Sequence, residues 1–288
     1  MNLTVLATGP TAGFALLDSG HGRKWERWGP YRFVRPEPQA LWAPARPDWP
    51  AHGIFLPGPD EDGGGRWQLD PALPTRWPVE QAGLRIWAMP TPFRHLGFFP
   101  DMAPHWERLA DVLRPGERVL NLFAYSGLAT LVALRAGAEV VHVDASPKAV
   151  AAARANAQLA GLADRPVRWI VDDARAFVAR ERRRGRRYHA ILLDPPKHGR
   201  GPKGEAWELA RDLPPLVADC VTLLDPAARL MILTTYAVRL SALALQACLA
   251  QALAGRGGRV QAGEMGLVEE ARGVFLPTAI FARWEGTS

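Results

Sequence analysis

The chain has 288 residues, 48% of them apolar, with 35 basic and 29 acidic side chains giving a formal charge of +6. That length allows one large α/β domain with a smaller companion. No apolar run reaches about 18 residues, the N-terminus lacks the pattern of a secretory signal, and the two cysteines, Cys220 and Cys248, lack Cys-x-x-Cys spacing. A cytoplasmic protein without a membrane span, disulfide framework or metal site is therefore expected. The positive charge suits a polyanionic partner, but 31 Arg against 4 Lys also fits the coding bias of a GC-rich genome.

Residues 1–102 read as a small β-rich N-terminal subdomain. They hold seven of the eleven Trp and a glycine-rich break at Asp62-Gly-Gly-Gly65. Alternating stretches at 25–34 and 83–88, punctuated by Gly and Pro, read as strands and turns. Aromatic residues in such strands are expected as packing material, with a base-stacking surface as the alternative.

From residue 103 to 288 the pattern changes to alternating strands and helices. A helix is predicted over 104–113, ended by Arg114-Pro-Gly116. Strand 119–123, helix 128–136 and strand 140–143 follow. The next helix, 147–159, has Ser146 as N-cap and Pro147 at its first position, and Gly161 stops it. Strand 167–171, helix 174–183 and strand 189–193 continue the alternation. Then come a polar loop at 197–205, a helical segment through Leu224, strand 230–234, helix 241–253, and two strands near 259–267 and 278–284 that can pair as a hairpin. Repeated β then α predicts a mostly parallel sheet with right-handed crossovers and an antiparallel C-terminal edge.

In such a sheet a ligand sits beyond the carboxyl ends of the strands. The first predicted strand end offers Asn121, Phe123, Ala124, Tyr125, Ser126 and Gly127. Ala124, Ser126 and Gly127 are small enough for a ligand to approach the backbone. The second ends in Asp144 and Ala145, with the carboxylate placed for ribose hydroxyls. The third gives Asp172, Asp173 and Ala174: either an acceptor for an adenine amino group or a helix cap beside a solvated charge. The fourth gives Asp194, Pro195, Pro196, Lys197 and His198, where consecutive prolines stiffen the backbone at the mouth of the sheet.

These four strand ends, Leu120-Asn-Leu-Phe-Ala-Tyr-Ser-Gly127, Val143-Asp144, Asp172-Asp-Ala174 and Leu193-Asp-Pro-Pro-Lys197, resemble the class I S-adenosylmethionine (SAM)-dependent methyltransferases. The resemblance implies a Rossmann-like sheet and SAM as cofactor. Gly-x-Gly-x-x-Gly, the dinucleotide fingerprint, is missing, which argues against hydride chemistry. Asn-x-Phe-x-Tyr-Ser-Gly with Asp-Pro-Pro-Lys is similar to the bacterial 23S rRNA methyltransferase branch that includes the 5-methylcytosine enzymes. That implies an RNA partner. Gly97-Phe-Phe-Pro-Asp101 resembles the branch's Gly-x-Phe-x-Asp segment, but Met102 and Ala103 replace the usual Gln-Arg, and no PUA domain is recognised.

Cytosine C5 methylation needs a thiolate nucleophile, which that branch places just after the strand that follows Asp-Pro-Pro. This chain has Thr234-Thr-Tyr-Ala237 there, and both cysteines fall in predicted helices. Direct in-line transfer without a covalent intermediate is therefore expected, with Asp194 and the Pro195 carbonyl accepting hydrogens from the acceptor and His198 available as a stacking group or base. The run Arg180-Glu-Arg-Arg-Arg-Gly-Arg-Arg187 reads as a solvated face, while Arg200, Lys203 and Arg211 flank the expected mouth. The alternatives are a methyltransferase for a small molecule or protein side chain, and a nucleic-acid-binding module with a decayed cofactor site.

Overall fold

A computed structural model describes residues 3–58, 64–236 and 238–287. Asp62 and Gly63 of the glycine-rich break, and Ala237 after the strand that lacks a thiol, lie outside the described residues. The chain divides into two units. One comprises 1–6, 104–265 and 279–288, the other 7–103 and 266–278. Thus two segments cross the division at 102/103 drawn from the sequence: residues 1–6 belong with the α/β unit and 266–278 with the β-rich one.

The first strand, β1 (Thr4–Thr8), opens the chain. In the β-rich unit β2 (Phe14–Gly20), β3 (Arg23–Trp28), β4 (Tyr31–Pro36), β5 (Gly53–Pro57) and β6 (Gly65–Leu69) form a five-stranded sheet in that order. β7 (Trp77–Gln81) and β8 (Leu84–Ala88) form a separate hairpin. Side chains alternate across β3: Lys24, Glu26 and Trp28 are buried, and Glu26 pairs with Arg35 of β4 at 2.7 Å. The opposite face carries Arg23, Trp25 and Arg27.

The α/β unit continues with α1 (Ala103–Val112), β9 (Arg118–Leu122), α2 (Leu128–Arg135), β10 (Glu139–Asp144), α3 (Pro147–Leu159), β11 (Val167–Val171), α4 (Ala174–Arg183) and β12 (Ala190–Leu193). Next come β13 (His198–Arg200), β14 (Ala206–Glu208), α5 (Leu209–Thr222), β15 (Leu230–Tyr236), α6 (Ala242–Ala252), β16 (Arg259–Val268) and β17 (Phe275–Glu285). The eight-stranded sheet runs β1-β16-β17-β15-β12-β9-β10-β11. Within it β15, β12, β9, β10 and β11 are mutually parallel, and β17 pairs antiparallel with β15.

The central strands are buried on both faces because helices cover both. Leu120, Leu122, Val141, Val143, Ile191, Leu193, Met231 and Leu233 pack on α4, α5 and α6 in one continuous core. Asn121 and His142 point to the other face, where Thr130 of α2 receives them. The 197–205 segment is not simply a polar loop: β13 and β14 pair antiparallel within and just beyond it, His198 opposite Glu208. Three-residue strands separated by Gly-Pro-Lys-Gly-Glu carry too little alternation to be legible.

Candidate active site

The strand register brings the four sequence-predicted segments to one edge. Leu122, Val143, Leu193 and Leu233 stand in one row across β9, β10, β12 and β15. The next residues, Phe123, Asp144, Asp194 and Thr234, therefore emerge together at the carboxyl ends. The chain runs β9 to β10 to β11 in one direction, then returns to place β12 on the other side of β9. This reversal opens a crevice between β9 and β12, the position where open α/β sheets bind ligands. Strands are spaced about 4.8 Å apart, so Asp144 and Asp194 stand about 10 Å from one another across β9.

The turn after β9 is unusual in its backbone. Phe123 (φ 54°) and Tyr125 (φ 47°) are both left-handed without being glycine, and Gly127 follows at φ 84°. Each such non-glycine residue costs on the order of 1–3 kcal/mol and persists only where its surroundings hold it. They do hold it. The Phe123 ring lies 5.0 Å from Trp207, the Ala124 N–H donates to the Val143 carbonyl, and the Tyr125 N–H donates to Asp144 Oδ2 at 2.8 Å. A Cβ on Gly127 would stand 2.8 Å from the Ala153 Cβ, so α3 leaves no room for a side chain there. Ser126 is buried, and its carbonyl accepts from Asn156 Nδ2 at 3.0 Å. Beneath the turn, Asn121 donates to Thr130 Oγ1, which also meets His142 Nδ1 at 3.0 Å. Burial lowers the His142 pKa to about 3, so the ring is a neutral spacer.

Asp144 accepts one N–H on each oxygen, from Tyr125 and from Ser146, the latter at 2.8 Å. Desolvation pushes its pKa above the ordinary carboxylate value, opposed by the Ser146 and Tyr125 N–H groups. Each carboxylate oxygen offers two lone pairs, so two acceptor positions remain. That is the capacity a pair of ribose hydroxyls requires. Ala145 beside it is half-buried. The residues present thus fit the nucleoside half of SAM.

At the β11 end the Asp173 side chain caps α4, accepting from the Ala176 N–H at 3.0 Å, and pairs with Arg175 at 3.1 Å. Asp172 accepts from the Asp173 N–H and pairs with Arg180. Ala174, the first residue of α4, is buried. The helix-cap alternative is thus realised for Asp173, and its carboxylate is engaged within the protein.

At the β12 end Thr234 Oγ1 donates to Asp194 Oδ1 at 2.6 Å. Pro195 is buried while Pro196, Lys197 and His198 are exposed. Trp207 Nε1 donates to the Pro196 carbonyl at 2.7 Å, and the Leu209 N–H to the Lys197 carbonyl at 3.0 Å. Among the described residues no hydrogen bond reaches the Pro195 carbonyl. Of the three basic residues expected at the mouth, Arg211 is tied to Asp212 and Glu208, while Arg200 and Lys203 lie on the exposed ribbon and its turn. The run 180–187 is more than a solvated face: Arg180, Arg182 and Arg184 pair with Asp172, Asp219 and Glu181.

Sequence reasoning passed over Trp207, Arg175 and Asn156, which hold the site in shape. Arg175 bridges Asp173 and Asp212, each at 3.1 Å, and lies over the Trp207 ring at 5.8 Å. A buried Trp in the polar stretch 197–208 was the available signal. Cys220 is fully buried in α5 and Cys248 half-buried in α6, both on the hydrophobic core. In the β-rich unit Asp101 is buried with its carboxyl accepting from Thr278 Oγ1, and desolvation raises its pKa.

The sequence family described as "Conserved hypothetical protein 95" matches residues 106–208. Curated relatives include a ribosomal RNA large subunit methyltransferase I from Aeromonas hydrophila, 38% identical over 35% of this chain and 25% of its own length. A ribosomal RNA large subunit methyltransferase K/L from Methylococcus capsulatus is 32% identical over 59% of this chain and 23% of its own. The chain thus spans about a quarter of these curated relatives. A solved structure, the SAM-dependent methyltransferase from Agrobacterium tumefaciens, superposes with a TM-score of 0.94 at 43% identity, covering 99% of this chain and 94% of that one. Identity of that level over nearly the whole of both chains, on a sheet that gathers a SAM-compatible turn and carboxylate at one edge, places the protein in the family of SAM-dependent methyltransferases.

Proposed function

We propose that the chain methylates RNA, with rRNA the favoured class, in the cytoplasm and without a thiol nucleophile. The observation that carries this reading is the row of strand ends that sets Phe123, Asp144 and Asp194 on one edge of the sheet. The names of the rRNA methyltransferases similar to residues in this chain support the substrate class.

The turn of Phe123, Ala124, Tyr125, Ser126 and Gly127, underpinned by Asn121, supports the donor through its backbone, and Asp144 with Ala145 receives the ribose. Asp172, Asp173 and Ala174 border the adenine, with the Asp173 cap fixing the start of α4. SAM supplies an activated sulfonium methyl group. Held there, it would donate that methyl group to the acceptor's lone pair and leave as the thioether, and the proton the acceptor then loses would pass to Asp194 or to water. Asp194 and the Pro195 carbonyl orient an acceptor N–H so that its lone pair faces the methyl group. Pro196 keeps that carbonyl rigid, and the exposed Lys197 and His198 meet the substrate from the rim. Neither cysteine takes part, since both belong to the core.

Calorimetry with SAM, followed by methyl transfer from labelled SAM to rRNA of a deletion strain, tests the reading. The expected result is SAM binding lost in Asp144→Ala and one methylated nucleoside missing from the deletion strain. Unchanged binding in Asp144→Ala, or an rRNA with every methyl group in place, sinks it.

A further inference from the structure

On the β-rich unit, the face of β3 opposite the Glu26–Arg35 pair carries a built aromatic platform. Trp25 and Trp49 stack with centroids 6.4 Å apart and planes at 8°. Both indole N–H groups are anchored: Trp25 Nε1 donates to the Pro50 carbonyl at 3.0 Å and Trp49 Nε1 to Asp18 Oδ2 at 2.9 Å. Asp18 is fully buried and also accepts the N–H groups of Ala45 and Arg46, so it fixes the segment bearing Arg46 and Trp49. The platform is therefore preorganised by a buried carboxylate.

Three guanidinium groups lie over this pair. Arg23 stands 5.4 Å from the Trp49 ring, and Arg32 and Arg46 stand 5.9 and 5.8 Å from the Trp25 ring. These are cation–π distances, which hold each planar fork without consuming its N–H donors. All three residues are exposed, and among the described residues no carboxylate lies within ion-pairing distance of any of them. Three other arginines of the unit are engaged instead: Arg35 with Glu26, Arg272 with Asp18 and Glu269, Arg27 with the carbonyls of Thr11 and Ala12. Trp25 is only 5% exposed, so the rings support the arginines rather than stack on bases.

We infer that Arg23, Arg32 and Arg46, fanned over the Trp25–Trp49 pair, form a phosphate-gripping surface for the backbone of the RNA substrate. Three unpaired, oriented forks match the bidentate geometry of phosphate oxygens. Recognition there is blind to sequence, and it leaves base selection to the α/β unit. This inference rests on the RNA reading above.

The test is fluorescence anisotropy of a labelled oligouridylate across a salt series, using the full chain and the triple variant Arg23→Gln, Arg32→Gln, Arg46→Gln. Each phosphate contact to a single strand contributes about 0.7 to the slope of log affinity against log salt. The slope is therefore expected to fall by about 2 in the variant, with SAM binding unchanged and the slope restored in the triple Arg→Lys form. An unchanged slope in a variant that still binds SAM overturns the surface, as does loss of binding to anionic vesicles instead of RNA. If the unaltered chain transfers no methyl group to any RNA, the substrate reading fails as well; if it does transfer but the slope is unmoved, only the surface fails.

Discussion

The indole N–H of Trp207 donates to the carbonyl of Pro196 at 2.7 Å, tying the β13–β14 ribbon to the Asp-Pro-Pro turn. The same ring meets Phe123 at 5.0 Å, so one side chain braces both sides of the crevice between β9 and β12. Trp207→Phe keeps most of the ring and removes the hydrogen bond, leaving a carbonyl to find water. The expected cost is about 1 kcal/mol of stability by urea unfolding, with a fall in methyl transfer and little change in SAM affinity by calorimetry. A variant that lost SAM binding first would show Trp207 to belong to the donor half instead.

Asp144 makes SAM affinity sensitive to acid. Burial raises its pKa, so on acidification it takes up a proton before an ordinary aspartate does. The sign follows from the direction. A raised carboxyl pKa favours the protonated form, so protonation at this group does not weaken the fold, yet it removes acceptor capacity from the ribose position. SAM affinity is expected to fall as pH drops through that raised value, while Asp144→Asn binds weakly with a flat profile. Loss of charge-assisted bonds worth about 1.5–3 kcal/mol corresponds to roughly tenfold to a hundredfold weaker binding in the Asn variant. A pH series in the calorimeter reads both.

Gly127→Ala places a Cβ 2.8 Å from that of Ala153 at a φ of 84°. The expected destabilisation is about 1–3 kcal/mol from overpacking and strain together. Adding Ala153→Gly removes the clash but not the left-handed strain, so the double variant should recover only part of the clash term against the helix cost of glycine. Chemical denaturation of the three chains separates the two contributions.

Cys220→Ala and Cys248→Ser are expected to retain methyl transfer. Cys220 is fully buried, so its truncation costs stability of about 1 kcal/mol without touching the chemistry. Incubation with 5-fluorocytosine RNA should give no covalent adduct. An adduct on denaturing gels, abolished by either substitution, would reverse the thiol-free reading.

Local signals carried much of the α/β unit. α3 and α4 begin and end where the sequence places them, because Ser146 and Asp173 are caps whose side chains accept N–H groups from Ala149 and Ala176. The same local code left Asp173 ambiguous: an aspartate between a strand and a helix suits both a ligand and a cap. β1 was not legible, since it joins the sheet beside β16, at the other end of the chain. The β13–β14 ribbon was hidden for the opposite reason, its strands being too short to show a period. At the site, motif spacing identified which strand ends meet, but not that Phe123 and Tyr125 adopt left-handed backbone, nor that Trp207 and Arg175 hold the turns. Those depend on contacts between segments distant in sequence.

Glu269 and Arg272 belong to the β-rich unit although they lie near the C-terminus. The Glu269 carboxylate accepts the Ser19 hydroxyl at 2.6 Å, and Arg272 pairs with Asp18 at 3.2 Å, in the network that anchors Trp49. On the ribosome, residues 7–103 emerge first but leave the charge of Asp18 without its arginine until 266–278 has been made. The β-rich unit is therefore completed only once 266–278 has been made, and a fragment ending at residue 103 lacks the Glu269 and Arg272 side of this network.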